Sequence, residues 1–535
     1  MSIKYIPFQE TGYFSKLICD YVEEKTHLRS FYNRYPNLEN FKEQLEEKGA
    51  SFSKESRKVL HDCLEAQYKD TVISKATAAH INSLKEEKTF TVVTGHQLNL
   101  FTGPLYFLYK IISTINLTKE LKEAYPAYNF VPIYWMATED HDFEEINYFN
   151  YTGKKIQWNK EATGAVGHLD TKGLDIVYTA FAQELGGSIN ANTLKEWFGK
   201  AYLEHDNLTA ATRYLANALF GTHGLVIVDG DDHALKKQLI PYAKRDILEN
   251  SSFKAVSNTI HKIAALPEKY NIQVNPREIN YFYLGTGDIR ERIVADENGF
   301  YINGTDIRFT EKALLEELER YPERFSPNVI ARPLYQEVIL PNLCYIGGGG
   351  ELAYWLELKA SFELMGVPFP MLLLRNSVLA ISEKQFQKLE KLHITPADLF
   401  LKQNSFINKK IRQISNINID FAPQKKVLEE QFAALHELAE QTDASFLGAV
   451  KAQEVKQKKG LDHLEKRLLK AQKRKLKDQV VRITDLQNEL FPGQSLQERN
   501  QNFSELYLEY GENLIPQLLS SLKPLAGQFT ILKLQ

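Results

Sequence analysis

Short apolar segments that end in polar residues recur along the chain. Residues 89–94, 129–137, 224–228 and 371–374 are rich in β-branched and aromatic side chains, and each is short enough to be a buried strand. Segments with helical spacing separate them. Because repeated strand–turn–helix units form parallel sheets, the pattern predicts an α/β fold with a Rossmann-like parallel sheet core.

The first of these units carries a polar turn, Gly95-His96-Gln97, directly after its strand. Thr102-Gly103-Pro104 then precedes an apolar segment at 105–117 that is long enough for a helix. Pro104 suits the first helical position, because its missing N–H would have no intrahelical partner. Such a helix start presents N–H groups to an anion. The spacing matches neither a Walker A loop nor a G-x-G-x-x-G fingerprint, so an ordinary strand-to-helix turn is the alternative.

The segments between the predicted strands indicate the domain organisation. Glycines and aromatic residues suggest two insertions, the second a small β-meander with Gly285, Gly287, Gly299 and Gly304, and a single helix is predicted over 352–364. Beyond Pro423, apolar spacings of three and four predict two long helices that turn near Gly460 or form a coiled coil. The predicted parts are 1–88 (helical), 89–147, 223–279 and 326–422 (sheet core), 148–222 and 280–325 (insertions), 423–490 (coiled-coil helical hairpin) and 491–535 (C-terminal segment, with the strand-like FTILKL).

Composition narrows the class of protein. Of 535 residues, 43% are hydrophobic and 25% charged, and the formal net charge of −3 argues against a general nucleic-acid-binding surface. No apolar segment approaches the roughly 20 residues that span a bilayer, and the N-terminal residues lack the apolar core of a signal peptide. The three cysteines form no C-x-x-C pair, which excludes a disulfide framework and the usual zinc-thiolate sites. We expect a cytoplasmic protein with no membrane partner, no nucleic-acid partner and no structural zinc or other metal.

One stretch departs from the even charge distribution. Residues 451–477 contain eleven lysines and arginines but only Glu454, Asp462 and Glu465 as acidic residues. The favoured interpretation is the solvated face of a coiled coil, and the alternative is a site for an anion or a nucleotide.

Candidate functional residues follow the predicted strands, where parallel sheets bind ligands. His96 and Gln97 can donate to a phosphate oxygen or a developing oxyanion. Glu139, Asp140, His141 and Asp142 can bind a metal ion or hold a substrate amine, although carboxylates at such a place also cap helices. Asp229, Asp231 and Asp232 carry the same ambiguity.

Later in the chain, a glycine run and two arginines add candidates. Gly347 to Gly350 lack a Cβ and let a backbone approach a ligand closely, and Glu351 follows them. Arg332, which follows Asn328, and Arg375 can clamp a carboxylate or a phosphate, or form structural ion pairs. No Ser-x-x-Lys, G-x-S-x-G or catalytic Cys context occurs, so covalent acyl transfer through a side chain is not expected.

Several motifs together resemble one family, the bacillithiol biosynthesis cysteine-adding enzymes (BshC). They are GHQLNLFTGPLYFLYK (95–110), VPIYWMATEDHDFEEIN (131–147), FSPNVIARPLYQE (325–337), YIGGGGELAYW (345–355) and LFPGQSLQERNQNF (490–503). The resemblance implies a ligase that forms an amide between cysteine and glucosaminyl-malate, small-molecule substrates, in the last step of bacillithiol biosynthesis. It also implies a Rossmann-like core with two connective insertions and a C-terminal coiled coil that forms a homodimer.

The candidate site is defined by the positions that follow predicted strands or open helices and would share one edge of the sheet. We assign catalysis to His96, Gln97, Asp140, His141 and Asp142, and binding of substrate or nucleotide to Gly95, Thr102, Gly103, Glu139, Asp229, Asp231, Asn328, Arg332, Gly348, Gly349, Gly350, Glu351 and Arg375. The family more often has Gly-Gln-Gln at residues 95–97. ATP is the candidate activator. However, class I aminoacyl-tRNA synthetases, which activate a carboxylate with ATP, carry a His-x-Gly-His signature and a Lys-Met-Ser-Lys-Ser loop. This chain lacks the second histidine of the first motif and the whole of the second.

Two hypotheses from other classes remain. The first is a non-catalytic coiled-coil or nucleic-acid-binding assembly protein, which rests on the basic stretch 451–477. The second is a metal-dependent hydrolase that uses residues 139–142.

Overall fold

The computed structural model describes residues 3–285 and 289–535, so the predicted glycine Gly287 lies outside the described residues. The described chain forms two compact units. Unit 1 comprises residues 1–380 and 497–535, and unit 2 comprises residues 381–496. Within the described residues, no helix combines the length and the apolar character that a membrane crossing requires.

The strands, numbered along the chain, lie at the following positions: β1 (Ile3–Ile6), β2 (Thr89–His96), β3 (Asn129–Met136), β4 (Tyr148–Tyr151), β5 (Lys154–Gln157), β6 (Val226–Asp229), β7 (Tyr281–Gly285), β8 (Ile289–Asp296), β9 (Gly299–Ile302), β10 (Arg308–Phe309), β11 (Phe325–Pro327), β12 (Asn342–Gly347), β13 (Met371–Leu374), β14 (Val378–Ile381) and β15 (Phe529–Lys533).

The α-helices are α1 (Phe8–Thr11), α2 (Lys16–Val22), α3 (Phe41–Ser51), α4 (Lys54–Gln67), α5 (Lys75–Ser83), α6 (Tyr106–Ala124), α7 (Phe143–Ile146), α8 (Leu174–Leu185), α9 (Ile189–Leu203), α10 (Leu208–Phe220), α11 (His233–Glu249), α12 (Ser251–Ala264), α13 (Glu311–Arg320), α14 (Arg332–Ile339), α15 (Gly349–Trp355), α16 (Lys359–Met365), α17 (Glu383–Lys391), α18 (Pro396–Leu399), α19 (Gln403–Ile414), α20 (Ala422–Glu440), α21 (Ala444–Lys475), α22 (Lys477–Leu490), α23 (Gln497–Asn500), α24 (Phe503–Tyr510) and α25 (Leu514–Ser521).

A five-stranded parallel sheet forms the centre of unit 1. Four of its strands correspond to the predicted apolar segments, and the fifth, β12, was not predicted. Its strand order is β13-β12-β2-β3-β6, and every neighbouring pair is parallel. All eight residues of β2 are buried, which explains why this strand is continuously apolar or small rather than alternating. The predicted Rossmann-like core is therefore confirmed.

The predicted β-meander is also present, and it is larger than the sequence suggests. Strands β7 to β10 pair antiparallel, and β11 extends the sheet in the order β10-β9-β8-β7-β11. The strand-like C-terminus is β15, which pairs with β1. The prediction of a mostly helical N-terminal segment did not include β1, because this strand becomes stable only through a partner more than 500 residues away.

The predicted start of the first long helix is wrong. Helix α6 begins at Tyr106, so Pro104 lies before the helix rather than at its first position. Phe101, Thr102 and Gly103 have positive φ values of 46°, 68° and 63°, which turn the chain sharply. Asn502 Nδ2 holds this turn by donating to the carbonyls of Phe101 (2.8 Å) and Gly103 (2.6 Å). The turn is therefore occupied by the chain itself, and the N–H of Leu105 donates to Gln501 rather than to a ligand.

The helix predicted over 352–364 is two helices, α15 and α16. Helix α15 begins at Gly349, so two of the glycines lie in its first turn. Residues 356–358 form a turn that separates the helices, and the buried carboxylate of Glu357 accepts a hydrogen bond there from the backbone N–H of Gln273. Sequence periodicity does not reveal the break, because its cause is a contact with a distant segment.

Unit 2 contains the predicted helical hairpin, formed by α20 and α21. The predicted turn near Gly460 is wrong: the chain turns at residues 441–443, and Gly460 lies inside the 32-residue helix α21. Asp443 caps α21 by accepting from the N–H of Phe446 at 2.9 Å. An aspartate at this position indicates a helix start, and it was a better guide to the turn than Gly460. Lys425 forms ion pairs with Asp462 (2.8 Å) and Glu465 (3.2 Å) across the hairpin.

The hairpin buries only part of its apolar surface. Phe432, Ala439 and Val450 form a small core, whereas Val427 and Leu464 are 54% and 53% exposed and line a shallow groove between the two helices. Apolar residues at these positions of a helical seam are usually covered by another helix.

We predict that this groove joins two copies of the chain. The full-length protein should be a homodimer at micromolar concentration by light scattering, and Val427→Glu combined with Leu464→Glu should give a folded monomer, because the two carboxylates would be buried without partners. Lys470→Glu, at an exposed position of α21 outside the groove, is the control and should remain dimeric. A monomeric wild-type protein would contradict the prediction.

Unit 1 is closed by a buried ion pair between the end of the sheet and the C-terminal segment. Arg375 follows β13, and its guanidinium lies 2.8 Å from a carboxylate oxygen of Glu498; the side chains are 5% and 1% exposed. Glu498 also accepts from the N–H of Val378 at 2.9 Å.

We expect Arg375→Ala to lower the free energy of unfolding by about 3–5 kcal/mol, because it leaves the Glu498 carboxylate buried without its cation. Lys54→Ala is the control, since Lys54 pairs with Glu87 at the surface and its removal should leave stability essentially unchanged. Urea unfolding measures the free energy of unfolding of both variants. Equal values for the two variants would show that the ion pair between Arg375 and Glu498 does not stabilise the fold.

Candidate active site

A cavity of about 880 Å³ lies at the carboxyl edge of the parallel sheet. Residues that follow β2, β3, β6, β12 and β13 all contribute to its wall. They include, from the predicted site, Gly95, His96, Gln97, Glu139, Asp140, His141, Asn328, Arg332, Gly348, Gly349, Gly350, Glu351 and Arg375. The structure thus brings most of the predicted site residues together at the predicted edge.

The strand order explains why the cavity forms here. The chain adds β3 and β6 on one side of β2 and then returns to add β12 and β13 on the other side. Connections from β2 and β12 therefore leave in opposite directions, and the crevice between two such strand ends is where open α/β sheets bind ligands.

An ion pair between the buried Lys110 and the partly exposed Glu351 lies in this crevice. The Lys110 ammonium, on a residue that is 4% exposed, donates to a carboxylate oxygen of Glu351 at 2.7 Å and to the carbonyl of Gly95 at 2.6 Å. Glu351 also accepts from the Tyr345 hydroxyl (2.8 Å) and the Gly348 N–H (2.7 Å). Burial lowers the pKa of Lys110, although Glu351 opposes this. Burial alone would raise the pKa of Glu351, but Lys110 and the hydrogen bonds lower it, so the carboxyl is ionised.

Lys110 and Tyr345 are site residues that the sequence reasoning missed. Both lie within the quoted motifs, but Lys110 sits in an apolar helical segment and Tyr345 in an apolar strand. A single lysine among buried apolar helix residues was the available signal, since lysine is almost never fully buried without a partner.

His96 is the last residue of β2, not part of a helix start, because α6 begins at Tyr106. It is 7% exposed, and its ring contacts those of Tyr106 and Phe107 with centroids 5.5 Å and 5.0 Å apart. Burial, reinforced by the charge of Lys110, lowers the pKa of His96 well below its usual value, so the imidazole is neutral. Its Nε2 atom has no hydrogen-bond partner among the described residues. His96 therefore offers an uncommitted ring nitrogen beside the crevice.

Gln97 joins two carboxylates on the cavity wall. Its side-chain NH2 group donates to Asp140 Oδ2 at 2.9 Å and to Glu145 Oε2 at 2.8 Å. Asp140 comes from the loop after β3, whereas Glu145 lies on the short helix α7. Two carboxylates at one place suit a cationic substrate amine, and Glu145 is a second residue that the sequence assignment omitted.

Six arginines give the cavity a strongly cationic character. Arg332 and Arg375 were predicted, and Arg277, Arg290, Arg292 and Arg499 were not. Arg375 is bound to Glu498, and the Arg290 guanidinium contacts His141 Nδ1 at 3.0 Å. The unpredicted arginines come from the β-meander and from segments whose approach to the sheet is set only by the tertiary fold.

Five predicted residues do not line the cavity. Thr102 and Gly103 lie in the turn that Asn502 holds, and Asp142 is exposed beside α7. Asp229 accepts from the Thr138 hydroxyl at 2.5 Å, and Asp231 accepts from His168 Nε2 at 2.7 Å. These aspartates pair with other parts of unit 1, and their assignment to ligand binding stays a prediction.

Residues 139–142 are engaged individually rather than grouped around a common point. Glu139 forms an ion pair with the fully buried Lys236, Asp140 is bound by Gln97, and His141 contacts Arg290. In the described part of the chain, the donor atoms that converge as for a metal ion belong instead to His61, Asp62 and Glu65. The geometry at residues 139–142 therefore lends no support to the hydrolase hypothesis.

Comparisons with known proteins agree with this architecture. The family model for the N-terminal Rossmann-like domain of bacillithiol biosynthesis BshC matches residues 1–376, and that for its C-terminal coiled-coil domain matches residues 378–534. Two relatives carry the name "Putative cysteine ligase BshC": one from Flavobacterium johnsoniae is 58% identical over 98% of this chain and 99% of its own, and one from Christiangramia forsetii is 60% identical over 98% of each. A relative of the same name from Bacillus anthracis is 27% identical over the full length of both chains. With both family models matched along nearly its whole length, this chain belongs to the BshC family.

Proposed function

We propose that this protein is a ligase that joins the carboxyl group of cysteine to the amine of glucosaminyl-malate, the last step of bacillithiol biosynthesis. The observation that carries the proposal is the charge pattern of the cavity. A carboxylate pair held by Gln97 and a set of arginines line the same cavity. Glucosaminyl-malate has one amine and two carboxylates, and cysteine has a carboxylate of its own, so the wall matches both substrates.

The chain's own groups have separate tasks in this proposal. Asp140 and Glu145 bind and orient the amine through charge-assisted hydrogen bonds, and Glu145 accepts the proton that the amine loses as the C–N bond forms. Arginines of the cavity wall bind the malate carboxylates. Gln97 uses both of its side-chain N–H groups to hold the two carboxylates, so His96 is the residue that stabilises the oxyanion developing on the cysteine carboxyl oxygen. Lys110 and Glu351 keep the crevice between β2 and β12 in a fixed geometry.

Amide formation from a free carboxylate needs an activating group, and ATP is our candidate. The glycines at 348–350 and the neighbouring arginines line one cavity, and the space beside the Gly350 Cα is open except for its own helix. Backbone and guanidinium groups of this kind suit phosphate oxygens. Bound there, ATP would convert one cysteine carboxyl oxygen into a phosphate-bearing leaving group, which the amine would displace from the carbonyl carbon.

The direct test is product formation. Purified protein given cysteine, glucosaminyl-malate and ATP should yield bacillithiol by mass spectrometry, and omission of ATP should abolish the product if ATP is the activator. Deletion of the gene should remove the same thiol from the pool of low-molecular-weight thiols in the cell. A deletion strain with an unchanged thiol profile would reject the function.

We expect Asp140→Asn to raise KM for glucosaminyl-malate with little change in kcat, because it weakens an amine contact that is made in both ground and transition states. A charge-assisted hydrogen bond contributes about 1.5–3 kcal/mol, so the increase should be roughly 10- to 100-fold. Asp142→Asn is the matched control, since its carboxylate is two residues away, exposed and outside the cavity lining. Equal effects of the two substitutions would place the amine elsewhere.

We expect His96→Ala to lower kcat by roughly 10²–10³, the loss typical of one electrostatic stabiliser. His96→Gln should retain most of the activity, because an amide N–H can donate to the same oxyanion. Circular dichroism and urea unfolding check that both variants fold. Full activity of folded His96→Ala would remove this residue from the mechanism.

A further inference from the structure

The segment between α12 and β7 forms part of the cavity wall without regular structure of its own. Residues 269–280 contain neither helix nor strand, yet Asn275 and Arg277 line the cavity and are exposed. An exposed arginine on such a segment would sample many positions unless other contacts fixed the backbone. The contacts that fix it are therefore of interest for substrate binding.

Glu357 provides the first of these contacts. It lies in the turn between α15 and α16, is 1% exposed, and accepts from the N–H of Gln273 at 2.8 Å and from the N–H of Val274. Its second carboxylate oxygen has no hydrogen-bond partner among the described residues. Burial raises the pKa of Glu357 to about 7, which shows that the two N–H donors do not offset the loss of water.

Asn280 provides the second contact, on the other side of Arg277. Its side chain accepts from the Arg277 N–H at 3.1 Å and donates to the Arg277 carbonyl at 2.9 Å. The Asn280 carbonyl in turn accepts from the N–H of Asn328, another residue of the cavity wall, at 3.0 Å. Arg277 is thus held between Glu357 on one side and Asn280 on the other.

We propose that Glu357 is a positioning residue: it anchors the backbone at Gln273 and Val274 so that Arg277 faces the cavity and binds a carboxylate of the acidic substrate. This inference rests on the proposed function, because the substrate carboxylate is that of glucosaminyl-malate. The position of Glu357 along the chain supports this inference. Glu357 follows α15, the helix whose first turn carries Gly349, Gly350 and Glu351, so a single helix connects the crevice at β12 to the anchor of the arginine segment.

The kinetic test compares Glu357→Ala with Arg277→Ala. Both should raise KM for glucosaminyl-malate roughly tenfold, as expected when one charge-assisted contact is lost, while kcat stays within about twofold. The double variant should have the KM of Arg277→Ala alone, because Glu357 acts through Arg277. Glu357→Gln retains an acceptor oxygen and should restore KM. Glu363→Ala, an exposed glutamate on α16, is the control and should match the wild type.

Amide hydrogen exchange tests the anchor independently of catalysis. The N–H groups of Gln273 and Val274 should exchange at least roughly tenfold faster in Glu357→Ala than in the wild type, and Glu357→Gln should return them towards the wild-type rate. Unchanged exchange in folded Glu357→Ala, additive effects on KM in the double variant, or faster exchange without a change in KM would each overturn the inference. If the wild type forms no product, the proposed function falls, and the exchange rates alone then decide whether Glu357 anchors the segment.

Discussion

The ion pair between the buried Lys110 and the partly exposed Glu351 is the interaction on which the cavity depends. It joins the first strand–helix unit, β2 and α6, to the later unit, β12 and α15, across the crevice between them. A lysine and a glutamate removed from water destabilise a fold unless their charges and hydrogen-bonding groups are satisfied. Here Gly95, Tyr345 and Gly348 supply the remaining partners. Removing Glu351 would leave the Lys110 ammonium buried without its anion, and removing Lys110 would leave Glu351 without its cation. Either change would loosen the crevice between β2 and β12.

Other parts of the cavity wall are held by the same kind of interaction. Lys236, fully buried on α11, pairs with Glu139 after β3 and donates to the carbonyl of Phe325 at 3.1 Å in β11. It thereby connects the parallel sheet to the antiparallel sheet that carries Arg290 and Arg292. The cavity is thus assembled from separate segments of unit 1 by a few buried charges, each with its own hydrogen bonds.

Features of the fold that depend on neighbouring residues in the chain could be predicted from the sequence. Strands β2, β3, β6 and β13 could be predicted because a buried parallel strand is a continuous apolar segment, and their shared carboxyl edge then follows from parallel pairing. This placed His96, Gln97 and Asp140 near one another without any knowledge of the packing, whereas Glu351 was included only because it follows the glycine run at 347–350. The motif resemblance added the family, which no single segment could have indicated.

The errors have the opposite origin, since each was caused by a distant contact. Asn502 fixes the turn before α6, and that turn removed Thr102 and Gly103 from the cavity lining. The arginines of the meander are solvent-facing in sequence pattern and reach the cavity only when β11 pairs with β7. The sequence does not show whether a basic residue on an amphipathic strand faces solvent or a cavity. A lysine inside an apolar helix, by contrast, indicates a buried partner. Lys110 could therefore have been identified from the sequence, whereas Arg277 and Arg290 could be recognised only from the fold.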